Sequence, residues 1–223
     1  MREPARTQPV VVVTGAAGRL GRLMARGFAD QKAHVAAIVR NRAASDIPGR
    51  LFPANLADEA DTARVFANIQ AAFGPVDVLV HTVGGWAETP LMETSLEEWD
   101  RLLRINLTTT FLCFREAARH MPLHGGRLIA FASGQGADRG RARQSAYAAA
   151  KAGVVRVVES LAEELAPAGI TTHAIAPSYV LFEDHGAARG VHAASLVDLA
   201  LYVAGPAGAS LNGATLRAYG TLS

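Results

Sequence analysis

Apolar positions along the chain fall into two rhythms. Short unbroken runs rich in valine and isoleucine alternate with longer stretches in which apolar residues return every three or four positions. The runs predict strands buried on both faces, and the longer stretches predict amphipathic helices. The runs are residues 10–13 (all valine), 34–39, 51–53, 76–82, 127–132, 170–176 and 214–219. Leu20, Leu23, Met24 and Phe28 mark a helix to about Asp30, and further helices are predicted over 58–73, 95–121, 144–166 and 196–203. Local punctuation sets several bounds. Gly74 and Pro75 stop one helix, Ser95 with Glu98 three residues on reads as a capping box, and Pro122, Pro167 and Gly169 close two others. Strands alternating with helices predict an α/β fold. It would be a doubly wound parallel sheet of about seven strands with helices on both faces, forming one domain over residues 1–223. Ligands of such sheets bind at the carboxyl ends of the strands, near the point where strand order reverses.

Composition narrows the class. The chain has 223 residues, half of them apolar and 19% charged, as expected of a globular protein with one large core. A net charge of +2 is too small an excess to predict a nucleic-acid partner. Cys113 is the only cysteine, which leaves no disulfide framework and no cysteine-based zinc site, and it lies in an apolar helical run. No stretch reads as a secretion signal or a membrane span, so a reduced, cytoplasmic protein is expected. His120 and His124 are four apart but lack a carboxylate to complete a metal site, and no metal is expected.

Candidate chemistry sits at the predicted carboxyl ends. After the first run, glycines fall at Gly15, Gly18 and Gly21, where strand turns sharply into helix. Such a turn needs backbone angles that a Cβ forbids, and a diphosphate approaches helix N–H groups only where side chains are absent. Tyr147 and Lys151 are four apart in a predicted helix and share a face. An ammonium near a phenol favours the phenolate and makes tyrosine a usable acid and base. Ser133 ends the fifth strand, and Asn106 lies mid-helix, where an amide is ordinarily a surface residue.

Thr14-Gly-x-x-Gly-x-x-Gly21, Asn106, Ser133 and Tyr147-x-x-x-Lys151, in this order, resemble the short-chain dehydrogenase/reductase family from Val10 to Gly220. The resemblance implies a Rossmann-like fold and hydride transfer between a nicotinamide cofactor and a carbonyl or alcohol. It implies that Tyr147 exchanges a proton with the substrate oxygen. Lys151 would bind the nicotinamide ribose and hold the Tyr147 pKa down. Ser133 would position the oxygen, and Asn106 would hold a water in a relay from Lys151. Cofactor contacts are implied for Gly15, Ala17, Gly18, Arg19, Leu20, Gly21, Asn55, Leu56, Thr82, Val83, Gly84, Pro177 and Val180. Helices of this family pair between subunits, so a homodimer or homotetramer is expected, through outer apolar positions Leu107, Phe111, Val154, Val158 and Leu161.

The chain also departs from the family pattern. Arg19 stands where glycine is usual, with Gly18 before it. His81-Thr82-Val83-Gly84 replaces Asn-Asn-Ala-Gly, and His81 reads as a satisfied strand-end histidine. Ser178 replaces the glycine after Pro177, and Phe182 replaces a threonine, leaving the carboxamide contact to the backbone of Val180. The space between Phe182 and Leu196 is short for lid helices. NAD-selective folds place an acid about 20 residues after the glycines. Here Ile38-Val39-Arg40-Asn41-Arg42 holds none, so NADP(H) is expected, with Arg40 on the 2′-phosphate and Arg42 or Arg19 assisting. Arg139, Arg141 and Arg143 read as a solvated loop. Val83-Gly84-Gly85-Trp86 and Ala218-Tyr219-Gly220 resemble dihydropteridine reductase, which leaves that activity as an alternative. A cofactor-binding regulator of weak activity is another.

Overall fold

A computed structural model describes residues 8–41, 46–182 and 189–220. The sheet strands are β1 Val10–Thr14, β2 His34–Val39, β3 Arg50–Pro53, β4 Val78–His81, β5 Gly126–Phe131, β6 Ile170–Pro177 and β9 Thr215–Ala218. They are all parallel and run in the order β3-β2-β1-β4-β5-β6-β9. Order reverses between β1 and β4, so the crevice predicted by the topology opens above these two strands.

The helices are α1 Arg19–Asp30, α2 Glu59–Phe73, α3 Leu96–Leu103, α4 Thr109–Arg119, α5 Gly134–Ala137, α6 Ser145–Leu165 and α7 Ala193–Ala204. Side-chain alternation along β1 splits the core in two. Val10 and Val12 pack with Phe66, Ile69, Cys113, Phe114, Val154 and Val158 from α2, α4 and α6. Val11 and Val13 pack on the other face with Met24, Phe28, Leu196, Ala200 and Val203 from α1 and α7. Cys113 is completely buried, and burial pushes its thiol far above the ordinary range.

Three features differ from expectation. The helix foreseen over 95–121 is two helices joined by a π turn, Arg104–Thr108. Thr109 and Thr110 donate their hydroxyls to the carbonyls of Ile105 and Asn106, which a widened turn leaves short of partners. Val154 and Val158 do not face outward; both are fully buried because that side of α6 lies on the sheet. Two short strands were not foreseen. These are β7 Val180–Leu181 and β8 Val191–His192, which pair with each other.

Candidate active site

Gly15 adopts φ +63°, and an added Cβ would sit 3.0 Å from Thr82 Oγ1. Gly21 is held more tightly still, since its Cβ would lie 2.2 Å from the Gly15 carbonyl oxygen. Gly18 caps α1 without a side-chain hydrogen bond, and no acid stands in the first helical turn. The N–H groups there suit an anion. Above the turn lies a crevice of about 170 Å³ that brings together Gly15, Ala17, Gly18, Arg40, Asn55, Leu56 and Val83. Arg40 is exposed at the end of β2. A larger open hollow of about 730 Å³, beside β3 and α2, holds none of the predicted site residues.

Other predicted contacts are placed differently. Leu20 packs into the core beneath the turn. Thr82 spends its hydroxyl on the Thr14 carbonyl, at 2.7 Å. Pro177 closes β6, and Val180 lies against the α1 and α7 core. Arg19 does not line the crevice; its guanidinium stacks 3.9 Å above the Phe182 ring. Arg42 falls outside the described residues.

Beyond Val83 and Gly84, outside the lining of this crevice, α6 carries Tyr147 and Lys151. Lys151 is buried and donates from Nζ to the Phe131 carbonyl, at 2.7 Å. Burial lowers its pKa to about 8. Tyr147 is half-buried, and its phenol is raised by burial, against a smaller opposing effect of the Ser133 hydroxyl. Ser133 lies two residues beyond β5 and caps α5 rather than ending the strand. Its hydroxyl donates to Gln135 Oε1 and accepts the Gln135 N–H at 3.3 Å.

Asn106 is fully buried in the π turn, not a surface amide. Its Nδ2 donates to the carbonyls of Gly85 and Leu102, both at 2.9 Å, and its Oδ1 accepts the Gly85 N–H at 3.1 Å. Both side-chain N–H groups are therefore spent on backbone, and the side chain fixes the Gly84–Gly85 segment. Gly84 passes between, where a Cβ would lie 2.9 Å from Asn106 Oδ1 and 3.3 Å from Lys151 Nζ.

His81 joins the two halves of the site. Thr109 Oγ1 donates to the Ile105 carbonyl at 2.8 Å, so toward His81 Nε2, 3.2 Å away, it accepts. His81 Nε2 therefore carries the proton, and Nδ1 accepts from Thr14 Oγ1 at 2.9 Å. Thr14 Oγ1 in turn accepts the Thr82 N–H. Burial, with the Lys151 charge adding to it, holds His81 neutral by lowering its pKa to about 3. The chain of bonds ties the end of β1 to the turn that carries Asn106.

The surroundings are polar and tied down. Arg143 pairs with Glu88 at 3.3 Å, and its carbonyl accepts the Thr89 N–H. This anchors the arginine loop to the segment after Trp86, which is 58% exposed. Tyr219 packs its ring near Gly134 and donates to Asp138, which also pairs with Arg217. Sequence reasoning missed Gln135 and the contact between Arg19 and Phe182. Among the described residues, no group of three His, Cys, Asp or Glu could hold a metal ion, and no helix is long and apolar enough to cross a membrane.

Known proteins resemble this chain in sequence and fold. A D-threitol dehydrogenase of Mycolicibacterium smegmatis is 33% identical, covering 93% of this chain and 90% of its own. The 3-oxoacyl-(acyl-carrier-protein) reductase FabG of Escherichia coli is 34% identical, covering 77% of this chain and 73% of its own. A crystal structure of a dehydrogenase/reductase from Sinorhizobium meliloti superposes with a TM-score of 0.86 at 25% identity, covering 94% of this chain and 93% of that one. The sequence pattern of the short chain dehydrogenase family matches residues 9–189. With the glycine turn, the doubly wound sheet and the Tyr147–Lys151 face all in place, the chain belongs to the short-chain dehydrogenase/reductase family, whose enzymes are NAD(P)-binding oxidoreductases of small alcohols and carbonyls.

Proposed function

We propose that this single-domain enzyme is an NADP(H)-dependent reductase of a small carbonyl compound, reversible to alcohol oxidation, working in the cytoplasm. The observation that carries the reading is a glycine-turn crevice lined by Arg40 and no acid, with Gly84, next to its Val83, running beside Lys151 of the helix that also carries Tyr147, whose phenol feels the Ser133 hydroxyl. When bound, the nicotinamide supplies or accepts the hydride. Tyr147 gives its phenolic proton to the substrate oxygen as the carbonyl becomes an alcohol. Burial keeps that phenol protonated at neutral pH, which suits a donor and hence reduction. Ser133 turns its hydroxyl from Gln135 to the substrate oxygen and orients it. Lys151 holds the cofactor ribose through the two ammonium hydrogens that Phe131 leaves. Asn106 fixes Gly84 beside Lys151, and a relay water then rests on backbone rather than on its amide.

Gly15, Ala17, Gly18, Asn55, Leu56, Val83 and Gly84 line the cofactor's path, with Thr82, Leu20 and Gly21 shaping it from behind. Pro177 and Val180 border the nicotinamide end. The D-threitol dehydrogenase, aligned over most of both chains, supports a small hydroxylated substrate. Serine at 133 and arginine at 40 favour this reading over a dihydropteridine reductase, and turnover on a carbonyl panel separates it from a regulator that only binds cofactor.

Arg40→Asp tests the cofactor reading. It is expected to weaken NADPH binding at least tenfold, about 1.4 kcal/mol, and to leave NADH unchanged or tighter. Calorimetric titration of both cofactors measures this, and unchanged discrimination would sink the assignment. Assembly as a homodimer or homotetramer rests on Phe111 of α4, which is 46% exposed, and on the uncovered parts of Leu107 in the π turn and Leu161 in α6, both of which otherwise pack on the core. Light scattering that returned a monomer would rule it out.

A further inference from the structure

Ser133 is carried by an element that cannot hold itself. It caps α5, a single turn of four residues, Gly134-Gln135-Gly136-Ala137. One turn is too short to be stable alone, and two glycines raise the cost of ordering it. The place of the Ser133 hydroxyl is therefore set by what grips α5 from outside. Gly134 and Gly136 face nearly opposite sides of a helical turn. Gly136 lies flush on α6, where an added Cβ would be 2.4 Å from the Lys151 carbonyl carbon. Gly134 faces the chain just past β9. An added Cβ there would be 3.3 Å from Cε1 and 3.5 Å from Cζ of the Tyr219 ring. The Tyr219 hydroxyl donates to Asp138, the residue that caps the end of α5. One side chain thus touches both ends of the turn.

Tyr219 is itself tied down. Ser178, which stands where glycine is usual, donates its hydroxyl to the Tyr219 carbonyl at 2.8 Å. The Ser178 N–H reaches the Ala218 carbonyl at 3.1 Å. Arg217 holds the Asp138 carboxylate from Nε at 2.6 Å. Arg217, and then Tyr219, keep the Asp138 carboxyl below the usual carboxylate range. Burial, and then the bond to Asp138, push the Tyr219 phenol up to about 12. The phenolic proton and the carboxylate charge both persist across neutral pH, and the bond between them persists with them. Hydrogen bonds to an ionised acceptor are among the stronger ones.

Building on the reading in which Ser133 orients the substrate oxygen, we propose that Tyr219 is a positioning residue for Ser133, clamping α5 from the side opposite α6 through its ring on Gly134 and its hydroxyl on Asp138. In this role Tyr219 acts through α5 alone. It sets where the Ser133 hydroxyl stands, and so how the substrate oxygen is held before Tyr147. Serine at 178 then serves the clamp by fixing the backbone that carries it.

The first test needs no ligand. Hydrogen exchange of the whole chain, read by mass spectrometry, follows the amides of Gly136, Ala137 and Asp138, which donate to the Ser133 and Gly134 carbonyls. Tyr219→Phe keeps the ring on Gly134 and removes the bond to Asp138. It is expected to speed exchange of these amides about tenfold and to leave those of α6 unchanged. The second test is a double-mutant cycle on reduction by NADPH of whichever of hydroxyacetone, glyceraldehyde and cyclohexanone turns over fastest. Tyr219→Phe is expected to lower kcat about tenfold. NADPH affinity, read by calorimetry, should not change, since Tyr219 is outside the lining of the crevice. With Ser133→Ala already present, Tyr219→Phe is expected to cost nothing further. A tyrosine that only stabilised the fold would add its loss to that of Ser133→Ala. Unchanged exchange, unchanged kcat or additive losses would each overturn the clamp and leave the enzyme reading standing. A parent that binds NADPH yet reduces none of the three carbonyls would bring down the role given to Ser133, and the clamp with it.

Discussion

Tyr147→Phe is expected to lower the rate of carbonyl reduction by about 10²- to 10⁴-fold, the usual contribution of a positioned acid or base. The substitution removes one hydroxyl and keeps the half-buried ring. Lys151 remains bonded to the Phe131 carbonyl, and the turn at Gly15 is untouched, so dinucleotide affinity is expected to stay within about twofold. The loss should therefore fall on kcat. The parent's pH profile carries the same signature. Reduction needs the protonated phenol, and burial raises the pKa at which that proton leaves, so the alkaline fall in reduction rate is displaced to higher pH. Tyr147→Phe should lack that limb in whatever rate remains. Near-parental turnover in the variant would remove Tyr147 from the chemistry.

Gly136→Ala acts on the same site from outside it. A methyl group there would lie 2.4 Å from the Lys151 carbonyl carbon and 2.6 Å from both the Ala152 nitrogen and Lys151 Cβ. These are backbone atoms and the root of a side chain in α6, so no rotamer change relieves the overlap. Either α5 lifts and takes Ser133 with it, or α6 yields and moves Lys151. A misplacement of about 1 Å at a catalytic centre costs about 100-fold in rate. Overpacking of this kind costs about 1–3 kcal/mol of stability. A folded Gly136→Ala protein, checked by circular dichroism and thermal midpoint, is expected to lose kcat/KM by that order. Full activity would show that α5 and α6 do not set the geometry of Ser133 and Lys151.

The sheet was legible in the sequence because unbroken apolar runs report burial on two faces, and only a covered parallel sheet supplies it. The site was legible where its determinants are local, as in the glycine turn and the four-residue step from Tyr147 to Lys151. What escaped depends largely on partners distant in sequence. The break at Asn106 has no proline or glycine to announce it; it follows from bonds to Gly85 and from the hydroxyls of Thr109 and Thr110. Val154 and Val158 share a helix face with apolar neighbours, but spacing alone does not say whether sheet or subunit covers it. Phe182 reads as a missing threonine until Arg19 is seen beneath it.

The lone thiol offers a use of another kind. Cys113 has no exposed surface, and its thiolate is strongly disfavoured where it lies. A thiol reagent must wait for that core to open, so the labelling rate counts openings of the folded state. Any molecule that binds the folded form makes openings rarer by a factor set by its concentration over its Kd. A compound seated above Tyr147 would thus slow the modification of a sulfur it never touches. Libraries of alcohols and carbonyls could then be ranked for this enzyme by protection alone, before a single turnover has been measured.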